Sequence, residues 1–390
     1  MTERSIYFDN SATTPICEAA LSRYCEVSRM TFGNPSSLHA VGKEAEDILK
    51  AARRTVLSSI GARGGSVVFT ASGTEANNLA LFGRAHAKAR YRGGKILTTA
   101  GEHASVTAPL AALRAEGFRV EEIPTIGGRL DLSALDAMLT PDTLAVSVMA
   151  VNNETGAAYD LSAVSRLIRS RCTDCALHVD ATQAFMKLPL DVRTLGVRLL
   201  TLSSHKIEGP KGVGALFIDE SLVKEKGIVP HILGGGQEGG MRSGTENVPG
   251  IAAFATACEY GKENFAEFTK KTGDLRDYLI ARLEGEEAFR EVKPILPPVA
   301  APHILSLVLP GIKSEVMLHH LSGDGISVSS GSACSSHGHT GPSALSAFGL
   351  PEREVDSAIR ISLSHRNTEE EVDLLLDSLA RGLSRLARRK

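Results

Sequence analysis

Lys206 stands in SSHKIEGPKGVGALF between two apolar runs, residues 199–202 and 213–218, with Ser203 and His205 beside it. A lysine amine held where a strand meets a loop, flanked by hydroxyl and imidazole donors, can form a Schiff base to an aldehyde cofactor while its neighbours hold a phosphate. Upstream, HVDATQA follows Cys175-Ala-Leu, which puts Asp180 at the end of a short apolar strand and Gln183 just beyond it. A carboxylate there can pair with a protonated pyridine nitrogen and make the ring an electron sink for carbanion chemistry. The same Asp could instead cap the next helix. Gly73-Thr74-Glu75 follows the apolar run SVVF and opens a helical pattern. Its backbone N–H groups and helix dipole can bind an anion such as a phosphate, although a Gly-Thr turn is also ordinary capping.

These residues need a scaffold, and the pattern around them supplies one. Between Ser66 and Phe217, short apolar runs (SVVF, KILTT, FRVEEI, LAVSVMA, ALHV, RLLTL) alternate with stretches of helix-like spacing such as 75–90 and 161–171. That alternation predicts βαβ units around a mostly parallel sheet flanked by helices. Ligands of such sheets bind beyond the carboxyl ends of the strands, where the residues above fall. A long helical pattern over 251–283 leads into a second region with strands near 303–309 and 359–363. We expect an α/β chain with a large domain at 16–258 and a smaller α+β domain formed by 1–15 and 259–390. No internal repeat or low-complexity linker is visible.

Bulk properties exclude several classes. A chain of 390 residues that is 43% hydrophobic can bury a large core. Its net charge of -2 gives no reason to expect nucleic-acid binding. The start, MTERSIYFDNSATT, lacks a basic flank and an apolar core of a signal peptide, and no apolar run approaches the ~18 residues of a membrane span. A soluble cytoplasmic protein is expected. Six cysteines in a chain of this length suit a reducing compartment. Cys172 and Cys175 form a CxxC that could bind zinc or cycle as a dithiol, but no second CxxC completes a four-thiolate site.

The ordered strings YFDNSATTP, FGNPSSLHAVG, FTASGTEANNLAL, GEHASV, MAVNNETG, HVDATQA, SSHKIEGPKGVGALF, GGGQEGGMRSGTENV, VSSGSACSS and IRISLS cover nearly the whole chain. With them the sequence resembles a cysteine desulfurase of the NifS/IscS group, within the class V, fold-type I pyridoxal-phosphate enzymes. The resemblance implies pyridoxal 5'-phosphate bound covalently by Lys206, with Asp180 on the ring nitrogen. It places Gly73, Thr74, Ser203 and His205 around the phosphate, completed by Thr245 from a neighbouring subunit, hence a homodimer. His103 matches the residue stacked on the ring, where an imidazole can also relay protons near its reference pKa of about 6.5. Asn153 and Gln183 match residues that contact the ring's phenolic oxygen and the substrate. Arg360 is the implied clamp on the substrate carboxylate, since a guanidinium offers parallel donors to a planar acid.

Cys334 decides the reaction class. It lies in VSSGSACSSHGHTG, a small-residue segment without apolar periodicity that predicts a loop. A free thiol has a pKa of roughly 8.5, so a thiolate nucleophile needs help from its site. His337 and His339 could give that help, or could bind a metal with Cys334. The resemblance implies removal of sulfur from L-cysteine, giving alanine and a Cys334 persulfide. The persulfide passes to an acceptor protein such as an iron–sulfur scaffold, or serves tRNA or cofactor thiolation. A selenocysteine lyase would use the same site, another class V enzyme would not need Cys334, and a non-catalytic sulfur-transfer component would need neither the lysine nor the aspartate.

Overall fold

The computed structural model describes residues 5–87, 94–172, 174–330 and 343–386, so Cys334, His337 and His339 lie outside the described residues. The strands are β1 Ile6–Tyr7, β2 Ser66–Thr70, β3 Lys95–Thr99, β4 Arg119–Ile123, β5 Thr143–Met149, β6 Ala176–Asp180 and β7 Leu199–Ser203. They continue with β8 Gly214–Ile218, β9 Lys293–Ile295, β10 Ile304–Val308, β11 Ile326–Ser327, β12 Ser329–Ser330 and β13 Ala358–Ser362.

Each apolar run singled out in the sequence forms a strand of one sheet, ordered β2-β8-β7-β6-β5-β3-β4. The pairs from β7 through β6, β5 and β3 to β4 are parallel, and β8 runs antiparallel to both neighbours. Every residue of β5, β6, β7 and β8 is buried, which is why these segments read as continuous apolar runs rather than alternating ones. Successive side chains nonetheless serve opposite layers. Val67 and Phe69 join a core with Val27, Leu49 and Phe254, whereas Val68 packs with Leu79, Leu216 and Leu222. Helices therefore cover both faces.

A second sheet, ordered β12-β13-β10-β9, is antiparallel, and β1 pairs with β11 in parallel. Its core gathers Phe8 with Leu275, Leu305, Ile359 and Leu376. The helices Phe265–Gly285, Ser314–Gly323 and Glu369–Leu386 supply much of that core. Chain entry is thus shared: Phe8 belongs to this core, while Cys17 and Ala20 belong to the large one. Between them, Ser11 N–H donates to Ser362 Oγ at 3.0 Å, tying the N-terminal segment to the end of β13.

One sequence expectation needs correction. The helical pattern over 251–283 is two helices, Val248–Glu263 and Phe265–Gly285, separated at Asn264. The Asn264 side-chain amide donates to Tyr260 O at 2.8 Å and closes the first helix. Apolar spacing continues on both sides, so periodicity alone does not see this break. The expected boundary at 258/259 falls inside the first of these helices. No helix among the described residues is long and apolar enough to cross a membrane.

Candidate active site

The parallel strands deliver their following loops to one edge of the large sheet, as open α/β sheets do. A cleft of about 450 Å³ opens there. It brings together Gly73, Thr74, His103, Asn153, Asp180, Gln183, Ser203, His205 and Lys206 with Arg360 from β13 of the second sheet. Thr245 is not brought in: it lines a separate hollow with Phe69 and Arg242 of the same chain. Cys172 and Cys175 are buried and line no part of the cleft. The Cys172 thiol donates to Thr143 O at 3.5 Å, and the two neighbouring thiols shift each other, Cys172 down to about 6 and Cys175 up.

Asp180 ends β6 with its carboxylate held from two sides. Thr182 N–H donates to Oδ1 at 2.9 Å, and the Asn77 side-chain amide donates to Oδ2 at 2.8 Å. Asn77 also donates to Ser105 Oγ at 2.8 Å, and that hydroxyl lies 2.8 Å from His103 Nδ1. Because Ser105 N–H also donates to His103 Nδ1, at 3.1 Å, that ring nitrogen is an acceptor and the neutral imidazole carries its proton on Nε2. His103 is at the same time the N-cap of the helix Ala104–Ala115. Capping thus fixes the orientation of the ring. One polar chain therefore runs from Asp180 through Asn77 and Ser105 to His103.

Lys206 lies in a short helical turn just after β7. Its Nζ donates to Ser11 O at 2.6 Å and Ala12 O at 2.7 Å, so the N-terminal segment holds the amine. At the other end of the cleft, the helix Gly73–Ala87 begins directly after the β2 turn. Ser72 Oγ accepts from Glu75 N–H at 3.2 Å and so caps the helix, and the Glu75 carboxylate reaches back one residue further to accept from Ala71 N–H at 2.9 Å. Arg242 pairs with that carboxylate at 2.7 Å. A Cβ at Gly73 would sit 3.3 Å from Ser203 Cβ and Thr182 Oγ1, so a larger residue would narrow the cradle. Burial, then the nearby Lys206 and Lys211, push His205 down to about 4, so it faces the cleft as a neutral imidazole.

Arg360, on β13, is 8% exposed. Its Nη1 donates to Asn153 O at 2.9 Å and its Nη2 to Asp9 Oδ1 at 2.9 Å. These bonds fix the fork while leaving N–H groups for a ligand carboxylate. Glu154 lines the same end, and burial, countered in part by Arg360, pushes its carboxyl up to about 7. Glu102 is buried behind His103. Its Oε1 accepts from the Thr99 hydroxyl and from Met149 N–H, and burial pushes it up to about 8.

Sequence reasoning did not single out Asn77, Ser105, Glu102, Ser11 or Asp9. Asn77 lies inside a helix and Ser105 in the first turn of another, where polar residues are commonplace. The one signal was their membership of the strings FTASGTEANNLAL, GEHASV and YFDNSATTP.

A pyridine aldehyde phosphate suits this donor set. A carboxylate oriented by two donors lies in one cleft with a lysine amine, and the cradle at Gly73 has a helix N-terminus and the Ser203 and His205 side chains around it. The class-V aminotransferase family matches residues 6–375. "Cysteine desulfurase IscS 1" of Archaeoglobus fulgidus is 38% identical over 382 residues, 97% of each chain. "Cysteine desulfurase IscS" of Proteus mirabilis is 37% identical over 98% of this chain and 93% of its own. Among solved structures, a "NIFS-LIKE PROTEIN" superimposes with a TM-score of 0.90 at 36% identity, covering 98% of this chain and 100% of that one. The "NifS-like protein from Rickettsia africae ESF-5" has a TM-score of 0.86 at 28% identity over 97% and 99%. With Lys206, Asp180 and the Gly73 helix start gathered in one cleft and likeness along nearly its full length, this chain belongs to the class-V aminotransferase family of fold-type I pyridoxal-phosphate enzymes, in its NifS/IscS cysteine desulfurase group.

Proposed function

We propose that the chain is a pyridoxal-phosphate-dependent cysteine desulfurase that moves the sulfur of L-cysteine to Cys334 and onward to an acceptor protein. The observation that carries this reading is the meeting of Lys206, Asp180 and Arg360 in one cleft. When bound, the cofactor supplies a carbonyl that captures the substrate amine and a ring that draws electrons from the substrate's α-carbon.

This chain's residues do the rest. Asp180 would hold the proton on the ring nitrogen. Gly73, Thr74, Ser203 and His205 would bind the phosphate, and His103 would cover the ring. Asn153 and Gln183 would contact the ring oxygen and the substrate. Arg360 takes the substrate carboxylate and so aims the α-carbon at Lys206, whose amine removes and returns the proton. The Cys334 thiolate attacks the substrate sulfur: an S–S bond forms, the C–S bond breaks, and the β-carbon takes up a proton. L-cysteine and one thiol thereby become alanine and one persulfide, with no external oxidant.

The reading extends to assembly and partners. Thr245 would complete the phosphate cup of a second copy, making a homodimer the active unit; its place outside its own chain's cleft supports this. The persulfide would serve iron–sulfur cluster assembly or the thiolation of tRNA or cofactors. A free Cys334 thiol requires a reducing compartment, hence the cytoplasm. Residues 16–258 would form the cofactor-binding unit and 1–15 with 259–390 the smaller one, supported by two cores that divide near these bounds except at Ala301 and Ile304, which join the larger core.

The test is a Cys334→Ala variant supplied with L-cysteine and a reductant. It is expected to keep the visible band of the bound cofactor and to lose alanine and sulfide production. Wild-type rates of both products in that variant would remove Cys334 from the reaction and the proposal with it.

A further inference from the structure

At the Arg360 end of the cleft, the turn that follows β5 is held against the second sheet. Ser306 on β10 and Ser329 on β12 stand opposite Arg360 on β13. From this row Arg360 Nη1 donates to Asn153 O at 2.9 Å, and Ser306 Oγ donates to Glu154 O at 2.5 Å. On the turn's own side, Asn152 Oδ1 accepts from Glu154 N–H at 2.9 Å and from Thr155 N–H at 2.8 Å. The backbone of Glu154 is thus fixed at both its N–H and its carbonyl. Its side chain lines the cleft with Ser329, Ser330 and Arg360.

The Glu154 carboxyl is poorly compensated. The residue is 8% exposed, and its Oε2 has no hydrogen-bond partner among the described residues. Arg360, the cation whose field acts on it, makes its ion pair with Asp9 instead, at 2.9 Å, and its Nε is also without a partner among the described residues. A buried carboxyl with no ion pair and an unpaired oxygen favours its neutral form. Burial accordingly pushes Glu154 up to about 7, against the opposing pull of Arg360 and of the Leu345 backbone N–H in the helix Ala344–Phe348. β10, β12 and that helix bring no titratable side chain to this corner. The other titratable groups on the cleft wall are His103, Asp180, His205 and Lys206.

We propose that Glu154 makes substrate capture proton-linked: as a neutral carboxyl it leaves the Arg360 guanidinium to the substrate carboxylate, and once ionised it competes for that guanidinium. Glu154 is then a positioning residue that acts through Arg360. The inference rests on Arg360 being the carboxylate clamp. A carboxylate bound beside Glu154 makes its ionisation harder still, so capture takes up a proton above neutrality and weakens as pH rises.

The test is steady-state kinetics of the holoenzyme with L-cysteine across neutral pH, comparing the wild type with Glu154→Gln, which keeps the shape of the side chain without its ionisation. From about pH 6 to about pH 8.5, the KM of the wild type is expected to rise about 10-fold more than that of the variant. Parallel KM profiles overturn the proposal, because a merely structural role would shift both ends of the range alike. Should Glu154→Gln fold poorly, inhibition of the wild type by propionate decides instead, since propionate carries a carboxylate and no group that titrates in this range. An inhibition constant that rises with pH supports the proposal, and a constant one overturns it. Propionate inhibition that is unchanged in Arg360→Lys would sink the reading of Arg360 as the clamp, an outcome distinct from a clamp that is indifferent to Glu154.

Discussion

The Asn77 side-chain amide donates to Asp180 Oδ2 at 2.8 Å while its other contact, to Ser105 Oγ, continues to His103. A hydrogen bond to a carboxylate in a buried site contributes about 1.5–3 kcal/mol. Asn77→Leu is therefore expected to weaken pyridoxal-phosphate binding by roughly 10- to 100-fold. Asn77→Asp, which sets a second carboxyl against Asp180, should weaken it further. Absorbance titration of cofactor-stripped protein measures both, and wild-type affinity in Asn77→Leu would show that the bond does not orient Asp180.

Lys206→Ala removes the amine and leaves Ser11 O and Ala12 O facing the cleft, where water can replace the donor. The fold is expected to persist. The lysine-bound visible band should disappear, and alanine production should fall by roughly 10²–10⁴-fold or more. A variant that retains both would refute the assignment of Lys206.

Arg360→Lys keeps the charge but loses the planar fork that now holds Asn153 O and Asp9. The loss of a paired contact to the substrate carboxylate is expected to raise KM for L-cysteine about 10-fold or more, with the cofactor spectrum unchanged. Steady-state kinetics separates this from a folding defect. An unchanged KM would place the substrate carboxylate elsewhere.

Part of the site was legible because its residues follow short apolar runs that read as strands, whereas His103, Asn153, Gln183, Thr245 and Arg360 came with the resemblance to the family. Asp180, Ser203 and Lys206 all stand at or just beyond strand ends, where the sheet must present them. What stayed hidden is of a different kind. Ser11 and Ala12 act through backbone carbonyls, which carry no residue-type signal. Asn77 matters because the helix Gly73–Ala87 packs across the end of β6, a tertiary fact. The break at Asn264 was masked by apolar spacing that continues through it.

Glu102 gives the fold a pH dependence of definite sign. Its carboxyl is pushed up to about 8 in the folded chain, against an ordinary value of about 4.3. The unfolded state therefore releases a proton over this window that the folded state keeps, and the chain loses stability as pH rises from about 4.5 to 8. The loss from this group is on the order of 5 kcal/mol. Glu102→Gln keeps an oxygen for Thr99 and Met149 N–H without the ionisation. Denaturant midpoints at both ends of the window are expected to differ less in the variant than in the wild type, and an equal difference would mean that Glu102 is ionised in its pocket.

The central claim is that the cleft takes sulfur from cysteine and places it on Cys334. A single turnover with L-cysteine carrying isotopically labelled sulfur, quenched without reductant, tests it directly. Mass spectrometry should find one labelled sulfur on the peptide that contains Cys334, with one alanine formed for each. Alanine without labelled sulfur on that peptide, or neither product from a cofactor-loaded protein, would contradict the account.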